Sequence, residues 1–87
     1  MKGEREMDKI KCMKKVIEVM LDGKEPKYLD FEEYIPETQD FAQLLYEMQE
    51  NGYIKGFDFA RAKGKPSIPF IDKDAKVTDL GIKFYKN

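Results

Sequence analysis

Apolar side chains recur at helical spacing twice in the first part of the chain, and the period then tightens to that of strands. Phe41, Leu44, Leu45 and Met48 stand at i, i+3, i+4 and i+7, one stripe along a helix over 38–51. Asn51-Gly52 ends that helix, because glycine readily takes the left-handed conformation a helix stop requires. Tyr53-Ile54 then opens a segment rich in β-forming aromatics. Upstream, Met7, Ile10, Met13, Ile17, Met20 and Leu21 form one face of a helix starting near Glu6, after a frayed Met1 to Arg5. Val16 lies at the edge of that face, and Lys9, Lys11, Lys14, Lys15 and Glu18 occupy the rest. Glu4, Glu6 and Asp8 favour the positive end of the helix dipole, and Gly23 stops the helix.

Lys24 to Leu29 is a linker holding Pro26, with Tyr28-Leu29 a candidate for a brief strand. Asp30 and Glu33 have the spacing of a capping box, which predicts a short helix over Phe31 to Ile35. Pro36 separates it from the next helix, for which Thr38 is the expected cap, with Asp40 in the first turn. Tyr53 to Phe59 and Ser67 to Ile71 read as two strands joined by Ala60 to Pro66, with Gly64 permitting the turn and Arg61, Lys63 and Lys65 at its tip. Pro66 and Pro69 remove ladder donors and place the returning strand on a sheet edge. Phe57, Phe59 and Phe70 chiefly cover the helices, with room for one ring to meet a partner. Asp72-Lys73-Asp74 reads as a charged turn. Thr78 caps a last short helix, with Asp79 in its first turn and Leu80, Phe84 and Tyr85 facing inward. The order predicts an α+β winged helix-turn-helix in a single domain, 1–87: a three-helix core, a C-terminal β-hairpin wing and a short final helix.

Eighty-seven residues hold one modest core and no deep active site with its own scaffold. One cysteine, Cys12, excludes an internal disulfide, and the absence of histidine removes the commonest metal ligand and general base. Asp72, Asp74 and Asp79 lack the glycine and distal glutamate of a calcium loop, and Gly64-Lys65-Pro66-Ser67 is not a phosphate loop. No enzyme, metal or cofactor is expected. No apolar run approaches a membrane span, and the N-terminal charges do not suit a signal peptide, so the expected location is the cytoplasm.

The net charge of −1 conceals an asymmetry that bears on function. Residues 1–27 hold eight basic and six acidic side chains, residues 28–54 none and seven, and residues 55–87 eight and four. The presumed recognition helix is therefore acidic, the wrong sign for a phosphate backbone.

The element order, the helix end ENGYIKG, the basic hairpin and VTDLGIKFY resemble winged-helix families whose last helix opens with a hydrophobic-Thr-x-x-Gly-x-x-(Phe/Tyr) phrase. More narrowly, the chain from about Ile10 to Tyr85 resembles the YjcQ-type proteins, small phage- or prophage-associated winged-helix proteins of Gram-positive bacteria with no assigned function. The resemblance implies DNA binding only through the fold.

Two readings follow. The first is a regulator that holds double-stranded DNA through Arg61, Lys63 and Lys65, helped by lysines of the first or last helix. Gln39, Gln43, Tyr46 and Glu47 are then the candidate contacts on the third helix, since glutamine can read adenine and tyrosine can reach a phosphate. The second is an interaction module for a protein partner or a second copy, using the acidic helix or exposed aromatics, without DNA. The basic hairpin and the fold put the first ahead. An exposed acidic face that touches no DNA is the plain alternative for the third-helix residues, and a solvated face is the plain alternative for Lys11, Lys14 and Lys15.

Overall fold

In the computed structural model the stripe of the central helix is buried as its spacing requires. The structure describes residues 2–35 and 37–87, with side chains from Lys9 onward, so Pro36 and the side chains of Glu4, Glu6, Met7 and Asp8, with the roles expected of them, lie outside the described part. The chain folds as α+β: α1 (Lys2–Leu21), a 3-10 turn (Tyr28–Asp30), α2 (Thr38–Glu50), β1 (Ile54–Ala62), β2 (Lys65–Val77) and α3 (Asp79–Lys86). The two strands pair antiparallel as a hairpin. Val16, Ile17, Phe31, Leu45, Met48 and Ile54 are the largest side chains wholly withdrawn from water, so α1, α2, the turn and the root of the hairpin share one core.

α1 begins at Lys2 rather than near Glu6, because no proline interrupts its first turns. Its buried face is also turned slightly from the expected one. Cys12, Met13, Val16 and Ile17 are buried, whereas Ile10 and Leu21, at the margins, are about half exposed.

The helix expected over Phe31 to Ile35 does not form, and neither does a strand at Tyr28-Leu29. Asp30 closes the 3-10 turn instead of capping a helix. The Phe31 carbonyl then accepts from the amides of Tyr34 (2.8 Å) and Ile35 (2.9 Å), a single turn that never propagates. Side chains fix it, not backbone repetition: Phe31 and Ile35 are buried, Phe31 packs 5.1 Å from the Phe41 ring, and the Tyr28 hydroxyl donates to the Ile35 carbonyl at 3.0 Å.

Glu37, not Thr38, is the N-cap of α2. It is extended, its carbonyl accepts from Asp40 and Phe41, and its side chain makes no capping bond. At the other end Gly52 has φ +83, and Tyr53 and Gly52 donate to the carbonyls of Met48 and Gln49, a complete Schellman stop.

The hairpin is longer than the expected 53–71, and its tip is tighter. Ala62 pairs with Lys65, leaving Lys63-Gly64 as a two-residue turn with φ +54 and +80, the left-handed pair that suits strand twist. Asp72-Lys73-Asp74 does not end β2. Lys55 pairs with Lys76 and Phe57 with Ile71, so Asp72 to Ala75 bulge opposite Gly56 alone. Gly56 has φ +89, and a Cβ there would stand 2.5 Å from the Ala75 Cα.

Phe57 shows how the free edge of β1 is satisfied. Its N–H donates to Gln49 Oε1 and its carbonyl accepts from Gln49 Nε2, both at 2.9 Å, so one amide of α2 stands in for a third strand. Gln49→Ala should cost roughly 1 to 2 kcal/mol and speed hydrogen exchange at the Phe57 amide. Unchanged exchange there would mean that the bond contributes nothing in solution.

The Thr78-x-x-Gly81 phrase docks α3. The Thr78 hydroxyl accepts from the Gly81 amide at 3.0 Å and donates to the Gly52 carbonyl, while the Thr78 amide donates to the Tyr53 carbonyl at 3.0 Å. Phe84 then stacks on Tyr53 with centroids 4.4 Å apart. Tyr85 donates to Glu18 of α1 at 3.1 Å, and that bond with the adjacent negative charge raises its pKa above 10.0. Leu80, expected to face inward, is 51% exposed and lies over Gly52.

Candidate nucleic-acid interface

Arg61, Lys63 and Lys65 all lie at the exposed end of the hairpin, but they are not equivalent. Arg61 is engaged within the fold: its guanidinium stands 5.3 Å from the Tyr46 ring centroid, and Nη1 donates to the Gly64 carbonyl at 3.2 Å. Tyr46 in turn meets Phe59 edge-on at 5.6 Å. The stack Phe59–Tyr46–Arg61 braces the hairpin against α2, so a candidate from the helix and one from the hairpin come together for packing. Lys63 and Lys65 remain on either side of Gly64 as exposed ammonium groups, and no acid occurs between Asp58 and Asp72.

On α2, Gln39 and Gln43 are half-buried, and Glu47 pairs with Lys9 of α1 at 2.8 Å. The helix carries no basic residue, and Asp40 and Glu50 are exposed on it. Glu47, Glu50, Tyr46 and Asn51, with Lys9 and Met13, line a groove of about 250 Å³ between α1 and the end of α2.

Two of the helix lysines are also engaged within the fold. Lys14 donates to the Asn87 carbonyl at 2.7 Å and lies 5.9 Å from the Phe84 ring centroid. Lys15 donates to the Asp30 carbonyl at 2.7 Å and lies over Phe31 and Tyr34.

The family model described as YjcQ protein matches residues 10–87, from the middle of α1 through the hairpin to the end of α3. The chain belongs to the YjcQ family. No curated protein and no solved structure gives a significant match. The region matched by the YjcQ model contains the Arg61–Tyr46 stack and the Gln49 amide clasp, which hold the hairpin to α2, and the Thr78-x-x-Gly81 contacts, which dock α3. Among the described residues of this YjcQ-family chain, no helix is long and apolar enough to cross a membrane.

Sequence reading missed Gln49, which stands between buried Met48 and exposed Glu50 and looks like any polar position on a helix flank. It also missed the facing of Lys55 and Lys76, because a four-residue bulge hides the register. Phe70, expected with Phe57 and Phe59 chiefly to cover the helices, is instead 55% exposed, as is Ile68, because both lie on the outer face of β2.

Proposed function

We propose that this chain is a winged-helix regulator that binds nucleic acid by its backbone, through the hairpin, without inserting α2 into a groove. The order helix, turn, helix, hairpin, helix supports the winged-helix assignment, with the middle helix reduced to a 3-10 turn. The observation that carries the functional reading is the distribution of free cations: Lys63 and Lys65 project at a tip free of acids, while α2 offers none. Phosphate binding is driven by cations that displace counterions, so the hairpin is the contact and the acidic helix stands away from the strand. Arg61 positions the tip through Tyr46.

A Lys63→Glu, Lys65→Glu variant tests this, with Arg61 retained because it packs. The fold should persist, since both side chains are solvated. Affinity for nucleic acid should fall, and the slope of log K against log salt should flatten by about two units. Unchanged affinity and slope would remove the hairpin from the interface.

One observation favours a second reading, a protein-interaction module. The groove that holds Glu47 and Glu50 at the negative end of the α2 dipole suits a basic segment of a partner. Under that reading the Glu47→Lys, Glu50→Lys variant loses a protein partner, and the lysine reversals at the hairpin have no effect.

A further inference from the structure

The outer face of the hairpin carries two features that folding does not explain. Lys55 and Lys76 stand directly opposite each other across the strands, both exposed. Like charges so placed destabilise a sheet. Among the described residues, neither ammonium has a carboxylate within ion-pair distance. Toward the tip, Phe70 and Ile68 occupy the same face, each 55% exposed, opposite Asp58 and Ala60. Burial settles the face: Ile54 and Phe57 are buried on the inner side, and Val77 and Ile71 pack there against the core. Lys65, paired with Ala62, and Lys63 at the turn complete the strip.

The strip thus runs from a lysine pair, through an exposed aromatic and an isoleucine, to a second pair of lysines. Seven residue steps from Lys55 to Ala62 span about 23 Å. Asp58 is the one acid on the paired part of this face, and its Oδ1 accepts from the Phe59 amide at 3.3 Å. The bulge beside Lys76 adds exposed Asp72, Lys73 and Asp74. Pairing of a further strand on the β2 edge is disfavoured. Phe57 turns its backbone groups away from β2, so by ladder alternation Pro69, two steps on, presents a ring where an outward N–H would be.

We infer that this face binds a single-stranded nucleic acid, with a base stacked on Phe70 beside Ile68, one phosphate shared between Lys55 and Lys76, and one each at Lys63 and Lys65. The inference rests on the nucleic-acid reading above and specifies its ligand. A phosphate between Lys55 and Lys76 relieves their repulsion. A ring exposed on a sheet face takes the flat side of a base, which only an unpaired strand presents; in a duplex those faces are stacked. A lipid surface is the less favoured occupant, because two apolar side chains bury little area for interfacial anchoring.

The test compares binding of a labelled oligothymidine, a duplex of equal length and anionic phospholipid vesicles. The single strand should bind more tightly than the duplex. Phe70→Ala, at an exposed position, should keep the fold and weaken single-strand binding roughly tenfold or more without changing the salt slope. Phe70→Tyr should retain binding. Lys55→Gln with Lys76→Gln should flatten the slope by about one unit and leave thermal stability unchanged or higher. A preference for duplex, or indifference to Phe70→Ala, overturns the inference and leaves the hairpin-tip reading standing. Failure of both nucleic acids to bind overturns both. Binding to vesicles but not to the oligonucleotide assigns the face to a lipid surface instead.

Discussion

Gly81→Ala should lower stability by about 3 kcal/mol, although alanine is the better helix former by about 1 kcal/mol. Two effects oppose each other at this position, and geometry decides between them. An added Cβ would stand 2.1 Å from the Tyr53 carbonyl oxygen and 2.8 Å from Val77 Cγ1. The first neighbour is backbone, already held by the Thr78 amide at 3.0 Å, so it cannot swing aside as a side-chain tip would. α3 must therefore back away, loosening the Thr78 bonds and the Tyr53–Phe84 stack with it. Gly23→Ala is the control. A Cβ there meets nothing within 4 Å, and the cost should be the left-handed backbone alone, φ +81, about 1 to 2 kcal/mol. Urea unfolding of both variants reads the difference, and equal losses would mean that the close approach of α3 is absent in solution.

Leu45→Ala should cost roughly 2 to 5 kcal/mol. Leu45 has no exposed surface and sits mid-helix in one buried cluster with Val16, Ile17, Phe31, Met48 and Ile54, which come from α1, α2, β1 and the segment after the 3-10 turn. A wholly buried site bounded on all sides collapses poorly, so the removed methyl groups leave a cavity as well as a lost transfer term. A domain of this length is expected to be stable by roughly 4 to 13 kcal/mol, so the variant loses a large fraction of the total. A change below about half a kcal/mol would mean that the stripe of α2 does not face the core.

The contrast between these sites shows what a sequence of this kind discloses. Phe41, Leu44, Leu45 and Met48 are legible because helical spacing converts directly into one buried face. Gly52 is legible because its role is local, and Thr78 capping Gly81 for the same reason. The segment from Tyr28 to Ile35 was misread as helix and strand because its conformation is set by distant burial, with Phe31 against Phe41, and local capping spacing carried no weight against that. β2 was read too short because a bulge opposite Gly56 looks like a charged turn until the returning lysine is seen to face Lys55. Charge alone marked Arg61 as a free cation, and the Tyr46 ring beside it, fifteen residues earlier in the chain, was beyond the reach of any local pattern. Lys63 and Lys65 keep the exposure expected of them.

The affinity of the unaltered protein for nucleic acid at two salt concentrations, about 50 and about 200 mM, tests the central claim most directly. Two or three phosphate contacts made by hairpin lysines predict measurable binding that weakens roughly tenfold across that interval. No detectable binding at the lower salt and high protein concentration, or binding that salt does not weaken, would contradict the account.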